Sequence, residues 1–229
     1  MSTQSFDAVA EKYDRWYKSP EGRYIDTREN ELFLRLVKPR AGESLIEVGC
    51  GTGHNLVFFQ KLGFKVSGVE PCQPMLQVAA KQCAPDANLC CGEAGHLEFP
   101  DGSFDIAVII TALEFMADPV SALKETFRVS RSRVYLGVLN QLSFIGLSRR
   151  VKACFFRKSI YCQAHFYTIW ELKRLIKKII PEAEISWGSV LLFPFGWHRF
   201  FKWLDECFSL RQNPFGAFLG ICVTKAKPK

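Results

Sequence analysis

Three glycines at alternate positions, directly after a short apolar run, place the tightest constraint on how this chain folds. The run is Leu45-Ile-Glu-Val48, and glycines follow at positions 49, 51 and 53 before an apolar helical stretch begins. Glycine adopts the positive φ angles of a sharp turn and lets a ligand approach the backbone closely. The pattern therefore predicts a strand, a tight loop and a helix, with a ligand bound at the loop.

The spacing of these glycines argues against two kinds of phosphate site. A G-x-G-x-x-G dinucleotide loop would place its third glycine at position 54, which is His54, and a P-loop needs a G-K-[S/T] sequence that is absent. Glu47, just before the loop, would repel a pyrophosphate but suits an ammonium group. Glu70 lies 21 residues past Gly49, the distance at which an acidic side chain accepts hydrogen bonds from ribose hydroxyls.

Strands and helices alternate through the first 140 residues, which predicts β-α-β units and a parallel sheet. Predicted strands cover residues 44–48, 65–69, 88–91, 104–110 and 133–139, and predicted helices cover 28–37, 54–62, 74–84 and 118–129. Further on, the spacing of Thr168 and Glu171 is that of a capping box, and an amphipathic helix follows as far as Ile180. The last predicted elements are strands at 183–193 and 216–224, with a helix near 198–208.

Composition excludes several classes of protein. The chain has 229 residues, of which 48% are hydrophobic and 23% charged, so it is neither disordered nor a collagen nor a coiled coil. No apolar run is long enough to span a membrane, and residues 1–14 lack the apolar core of a signal peptide. The nine cysteines form no C-x-x-C pair or zinc-ligand spacing. We therefore expect free thiols, no metal site and a cytoplasmic protein.

Charge is distributed unevenly along the chain. Residues 1–130 carry a net charge of −5, whereas residues 131–229 carry +12. The basic half is either a solvated face or a surface that attracts an anionic substrate, a nucleic acid or an anionic membrane.

Two motifs together resemble the class I S-adenosylmethionine-dependent methyltransferases. The stretch Glu47-Val-Gly-Cys-Gly-Thr-Gly53 is similar to motif I of that family, and the stretch from Gly92 to Asp105 is similar to its G-D-A-x-x-L-P-F-x-D-x-S-F-D sequence. The branch most like this chain contains the ubiquinone/menaquinone methyltransferases and many small-molecule methyltransferases. The resemblance implies an α/β, Rossmann-like fold: a seven-stranded, mostly parallel sheet with helices on both faces, an antiparallel last strand and a helical, aromatic cap.

The resemblance also implies how S-adenosylmethionine binds. Glu47 would hold the methionine ammonium, Glu70 the ribose hydroxyls and Glu93 the adenine amino group. The remaining implied cofactor contacts come from the glycine loop and from residues beside the adenine and the methionine: Gly49, Gly51, Gly53, Pro71, Met75, Ala94 and Thr111. Glu93 stands where the family usually has Asp, and Glu98 replaces a usual Pro, but neither change removes a required functional group.

The acceptor side is predicted less directly. Residues 1–30 would form an N-terminal cap, 40–140 the cofactor-binding core and 140–167 an acceptor-side insertion, all within one domain of residues 1–229. The insertion combines basic and aromatic residues, and the 191–203 stretch is also aromatic. Candidate acceptor residues are Tyr17, Tyr24, Phe115, Arg149 and Arg150, although core packing explains Tyr17 and Tyr24 equally well. His165 and His198 are the candidates for a catalytic base, and for each histidine packing or solvent exposure is the favoured alternative.

We expect a methyltransferase that acts on a small-molecule acceptor, apolar or anionic. Two alternatives remain at the sequence level: an enzyme that methylates a nucleic acid or a protein, and a non-catalytic module that binds S-adenosylmethionine. A nucleic-acid partner is not expected, because the basic segment is rich in Phe and forms no clean Lys/Arg stripe. The basic half would also allow peripheral contact with a membrane.

Overall fold

Seven strands form one sheet in the order β3-β2-β1-β4-β5-β7-β6 in the computed structural model, which describes residues 15–143, 164–193 and 212–225. The strands are β1 Ser44–Val48, β2 Lys65–Val69, β3 Asn88–Cys90, β4 Phe104–Ile110, β5 Ser130–Leu139, β6 Glu184–Val190 and β7 Phe218–Thr224. β1 to β5 pair in parallel, and β7 is antiparallel to both β5 and β6. The expected mostly parallel sheet with an antiparallel last strand is confirmed.

Helices cover both faces of this sheet. They are α1 Pro20–Val37, α2 His54–Lys61, α3 Gln73–Gln82, α4 Pro119–Val129 and α5 Ile169–Ile179, with a 3₁₀ turn at Leu113–Phe115. α1 and α2 bury Phe33, Leu56 and Phe59 against one face, and α4 and α5 bury Leu123 and Leu172 against the other. The central strands are apolar on both faces because both are covered.

α1 begins earlier than the sequence pattern predicts. Ser19 caps α1 by accepting a hydrogen bond from the Gly22 N–H at 3.0 Å, and Pro20 occupies the first turn. The prediction of a helix only from residue 28 is therefore wrong. The Ser-Pro pair is a good start signal, but the polar residues that follow it hide the apolar periodicity. The predicted end before Pro39 is confirmed, with Lys38 in the left-handed conformation.

Strand ends differ from the prediction by a few residues. β5 begins at Ser130, three residues before the predicted start. β6 stops at Val190, not at residue 193, because Leu191 has a φ of +67° that ends the extended backbone. β7 begins at Phe218. The predicted helix near 198–208 lies outside the described residues.

The predicted cap of α5 is confirmed in one of its two halves. The Thr168 hydroxyl accepts a hydrogen bond from the Glu171 N–H at 3.2 Å. The Glu171 carboxylate, however, lies 2.8 Å from His165 Nε2. Glu171 therefore connects the helix to the segment that precedes it.

The carboxyl ends of β5 and β6 lie at the same edge of the sheet, because both strands run antiparallel to β7. Asn140, just after β5, holds the start of β7 at this edge: its Nδ2 donates to the carbonyls of Pro214 at 2.6 Å and Gly216 at 2.7 Å. Ligands of open α/β sheets bind at this edge. Within the described ranges, no helix is both long and apolar enough to cross a membrane.

Candidate functional site

The loop after β1 requires glycine for two separate reasons. Gly49, Gly51 and Gly53 have φ angles of +80°, +54° and +81°, which L-residues with side chains rarely adopt. A Cβ atom at Gly49 would also lie 2.7 Å from the Ala112 Cβ, and one at Gly53 would lie 2.9 Å from the Ala79 Cβ. The loop is consequently packed tightly against the chain behind it, whereas a Cβ at Gly51 would approach only the Met75 sulfur, at 3.9 Å.

Backbone hydrogen bonds fix this loop to the end of β2. The N–H groups of Gly49 and Cys50 both donate to the Val69 carbonyl, at 2.8 and 3.1 Å. β1 and β2 are parallel neighbours, so their carboxyl ends lie side by side. Glu47 and Glu70, although 23 positions apart in the sequence, are therefore brought to the same place.

Glu47 is a buried carboxyl group with one oxygen unused. Its side chain is 1% exposed, and Oε1 accepts a hydrogen bond from Asn55 Nδ2 at 2.7 Å. Oε2 has no hydrogen-bond partner among residues 15–143, 164–193 and 212–225. Burial raises the pKa of Glu47 to about 8. A buried oxygen of this kind is costly unless a donor satisfies it, so the position suits a cationic donor.

Glu70 uses its carboxylate to shape the backbone around it. Oε2 accepts from the Gly51 N–H at 2.9 Å, and Oε1 accepts from the Cys72 N–H at 3.1 Å. Burial raises the pKa of Glu70, two backbone N–H donors oppose the rise, and the nearby charge of Glu93 adds to it. Each oxygen keeps a second lone pair for a further donor.

The residues expected beside an adenine follow from this arrangement. Met75 is buried on α3, Pro71 is exposed at the end of β2, and Glu93 is exposed in the loop after β3. The Gly92 N–H donates to the Glu70 carbonyl at 3.4 Å, which holds the start of that loop beside β2. Ala94 is partly buried against the core. The predicted adenine residues therefore surround the carboxyl ends of β2 and β3.

Thr111 lies on the other side of the loop, just past β4. It has a φ of +47°, and its N–H donates to the Gly137 carbonyl of β5 at 2.8 Å. The backbone therefore turns sharply there, next to Ala112, which abuts Gly49.

A contact between α1 and α2 closes the N-terminal side of the site. His54, the first residue of α2, places Nε2 2.8 Å from Asp26 Oδ1 on α1, and the Tyr17 ring stacks on the His54 ring at 3.7 Å between centroids. Tyr24 packs against the cluster of buried residues that includes Val190 and Phe218. The structure therefore places Tyr17 against the residue that follows the glycine loop.

A third buried carboxyl group, Glu114, lies in the 3₁₀ turn that follows β4. Its Oε1 accepts from the Leu139 N–H at 2.6 Å and its carbonyl accepts from the His165 N–H at 2.8 Å. Burial raises its pKa to about 7. Phe115 is half-buried beside it, and the His165 side chain is 60% exposed. Arg149, Arg150 and His198 lie outside the described residues.

The sequence reasoning missed three of these side chains. Asn55 was readable only as a polar residue in the first turn of α2, Asp26 as one acid among several on α1, and Glu114 as a lone acid in an apolar stretch. Each acts through a contact with a residue that is distant in sequence or hidden by the fold. Local sequence patterns do not indicate contacts of this kind.

A family model, a sequence relative and a solved structure each relate this chain to methyltransferases. Residues 46–137 match the family described as Methyltransferase domain. An uncharacterized protein of Methanocaldococcus jannaschii is 28% identical over 76% of this chain and 79% of its own length. The demethylmenaquinone methyltransferase of Corynebacterium kroppenstedtii is 32% identical over 54% of this chain. A crystal structure of an S-adenosylmethionine-dependent methyltransferase from Thermotoga maritima superposes with a TM-score of 0.72 at 26% identity, covering 98% of this chain and 100% of that one.

The chain carries a class I methyltransferase domain. S-adenosylmethionine is its cofactor, as the resemblance predicted. This chain covers 52% of the length of the Corynebacterium methyltransferase, so that enzyme's own acceptor is not transferred with the fold.

The methyltransferase site fits its cofactor on chemical grounds. S-adenosylmethionine carries an ammonium group and ribose hydroxyls, all of them hydrogen-bond donors. Among the described residues, Glu47 offers a buried oxygen with no partner, and each Glu70 oxygen accepts one backbone N–H and has a second lone pair. Beside them, the backbone at Gly51 leaves open the space that a side chain would fill.

Proposed function

We propose that this methyltransferase transfers a methyl group to a small-molecule acceptor, apolar or anionic, that binds at the carboxyl edge of β4 and β5. The observation that carries the proposal is the pairing of Glu47 and Glu70 at the glycine loop. Two carboxyl groups there, one with an unpaired buried oxygen, match donors at two places on the cofactor. A cofactor held in this way would supply its methyl group to an acceptor at the edge that Thr111 and Glu114 border.

In this proposal three carboxyl groups each hold one part of the cofactor. Glu47 accepts from the methionine ammonium, Glu70 from the ribose hydroxyls and Glu93 from the adenine amino group. The glycine loop and the neighbouring residues supply close backbone and apolar contact: Gly49, Gly51, Gly53, Pro71, Met75, Ala94 and Thr111. Their positions around the ends of β1, β2, β3 and β4 support this assignment.

The cofactor, when bound, supplies a methyl group that its sulfonium already activates. What remains for the protein is to align the acceptor with that methyl group and to exclude water. A general base is required only where the acceptor still carries a proton. His165 is the described candidate, because Glu171, 2.8 Å from its Nε2, can orient the ring.

The relatives do not agree on an acceptor. They include a demethylmenaquinone methyltransferase and malonyl-[acyl-carrier protein] O-methyltransferases, and the Thermotoga structure is described as a possible histamine N-methyltransferase. The class we propose rests instead on the basic and aromatic composition of residues 140–167 and 191–203, which suits a molecule with apolar or anionic groups. Both segments begin at the carboxyl edge of the sheet.

A metabolite screen tests the function directly. Purified protein is incubated with S-adenosylmethionine and a cell extract from which macromolecules have been removed, and masses that rise by one methyl group are recorded. The expected result is methylation of one small class of molecules, absent with the Glu70→Ala variant. Methyl transfer only to RNA or protein in an unfractionated extract would contradict the small-molecule acceptor.

Charge reversal tests the acceptor site separately. Arg149→Glu together with Arg150→Glu is expected to raise the Michaelis constant for an anionic acceptor while cofactor affinity and thermal stability stay unchanged. Unchanged kinetics would instead make the basic half a solvated face and direct attention to Tyr17, Tyr24 and Phe115.

A further inference from the structure

Polar contacts join one side of α4 to the loop that contains Glu93. The loop runs from Gly92 to Gly102, between β3 and β4, and has no regular secondary structure of its own. Ser121, Glu125 and Arg128 lie on one side of α4, since they are spaced by four and three residues. The loop passes them in order.

Arg128 accounts for most of these contacts. Its Nη2 donates to the Leu97 carbonyl at 2.8 Å, and its Nη1 donates to the Phe99 carbonyl at 2.7 Å and to Asp101 Oδ1 at 2.8 Å. The Arg128 carbonyl also accepts from the Gly102 N–H at 2.9 Å. One residue therefore binds four positions in a stretch of six.

Glu125 orients the guanidinium and adds a contact of its own. Its two oxygens accept from Nε and Nη2 of Arg128 at 2.7 and 2.8 Å, and Oε2 also accepts from the Leu97 N–H at 2.8 Å. The hydrogen bond with Arg128 lowers the pKa of Glu125 to about 2. The pair is a bidentate fork, the geometry that holds a guanidinium in one orientation.

A single turn connects Leu97, whose position is fixed, to Glu93. The His96 N–H donates to the Glu93 carbonyl at 3.1 Å, and Gly92 is held beside β2 by its hydrogen bond to the Glu70 carbonyl. Leu97 itself is 3% exposed in the core. The exposed Glu93 therefore lies on a short turn fixed at both ends.

We propose that Glu125 and Arg128 are positioning residues for adenine recognition: they fix the loop from Gly92 to Gly102 so that Glu93 accepts a hydrogen bond from the amino group of the cofactor's base. This rests on the proposed role of Glu93. Neither side chain touches the cofactor. They affect which base the site prefers. A Glu93 carboxylate that is held in place forms a strong hydrogen bond with an amino group, whereas a mobile carboxylate forms a weaker one.

The experiment uses two ligands that differ at one position of the base. S-adenosylhomocysteine carries the 6-amino group, whereas its purine analogue, with hydrogen in place of that amino group, has no donor there for Glu93. Their dissociation constants are measured by calorimetry on the full-length protein. The variants are Arg128→Gln, Arg128→Lys and the control Arg131→Gln, which removes an exposed arginine paired with Asp105 at 2.8 Å.

The wild-type protein and Arg131→Gln should prefer the adenine ligand at least tenfold. Arg128→Gln should weaken the adenine ligand about tenfold and the purine ligand less than twofold, so that the preference disappears. Arg128→Lys should lie between them, because an ammonium keeps the charge but lacks the fork that reaches two carbonyls. Thermal unfolding of each variant shows that it is folded at the temperature of the titration.

Two results would overturn the proposal. An Arg128→Gln variant that loses affinity for both ligands by the same factor, or for neither, would show that the pair only stabilises the fold. A wild-type protein that binds neither ligand would overturn the proposed function, and the proposal with it. The variants thus separate the two failures.

Discussion

Asn55 donates a hydrogen bond to only one oxygen of Glu47, at 2.7 Å, and the other oxygen has no partner among the described residues. Without a ligand, burial favours the protonated carboxyl, which is why the pKa of Glu47 is raised to about 8. A bound ammonium favours the ionised form. Binding of the cofactor should therefore be linked to loss of a proton.

We expect cofactor binding to release a fraction of a proton at pH 7 and almost none at pH 9. Calorimetry at pH 7 in two buffers with different ionisation enthalpies measures this fraction. Glu47→Gln should abolish the release and weaken binding about tenfold to a hundredfold, the cost of losing a charge-assisted hydrogen bond. Asn55→Ala is the comparison, since it keeps the carboxyl. Equal heats in both buffers for the wild type would contradict this role of Glu47.

Glu70→Ala should weaken cofactor binding by about tenfold to a hundredfold, or 1.5–3 kcal/mol. The structure adds a reason beyond the ribose: the Gly51 and Cys72 N–H groups lose their acceptor in this variant. Calorimetry with S-adenosylhomocysteine measures the change. An unchanged dissociation constant would remove Glu70 from the site.

A matched pair of glycine variants separates backbone strain from loss of ligand space. Gly51 has a φ of +54° and Gly42 a φ of +86°, so alanine strains both, by roughly 1 kcal/mol. A Cβ at Gly42 has no atom within 4 Å. Both variants should unfold a few degrees lower, but only Gly51→Ala should bind the cofactor more weakly. Equal binding by the two variants would show that nothing approaches the loop at Gly51.

The fold and the candidate site were predictable in part from the sequence. The stretch from Ser44 to Lys61 was predicted almost to the residue because its apolar run, glycines and helix are local signals that agree. The start of α1 was missed because Ser19 and Pro20 signal a start without a following apolar pattern. Contacts such as Arg128 with Phe99 depend on which helix packs beside which loop, and only the fold decides that.

Stability should fall as the pH rises from about 4.5 to 7, and Glu114 is one cause. Burial raises the pKa of Glu114 from 4.5 to about 7 in the folded protein, so in this interval the folded state holds a proton that the unfolded state has lost. The free energy of unfolding then decreases with rising pH, by up to about 3 kcal/mol in total for this group. Glu47 acts in the same direction up to about pH 8.

Glu114→Gln should flatten this dependence, because the amide oxygen still accepts from the Leu139 N–H and carries no charge. Urea unfolding at pH 5.5 and pH 7.5 measures the difference. Glu98→Gln, at an exposed position, is the control for loss of one carboxyl group. A slope that matches the wild type in Glu114→Gln would contradict the assignment.

The contact between Asp26 and His54 should affect cofactor binding although neither residue belongs to the glycine loop. Asp26 Oδ1 lies 2.8 Å from His54 Nε2, and the Tyr17 ring stacks on the same imidazole. His54 follows Gly53 directly, so any freedom gained by its ring also reaches the loop and the N-terminal segment. Asp26→Ala should therefore weaken binding of S-adenosylhomocysteine about threefold to tenfold and increase amide hydrogen exchange in residues 15–19.

Glu31→Ala is the matched control, because it removes an acidic side chain from the same helix, one whose ion pair with Arg28 lies within α1. Weaker binding in both variants would assign the effect to α1 as a whole, and no change in either would contradict a role of the Asp26–His54 contact in binding.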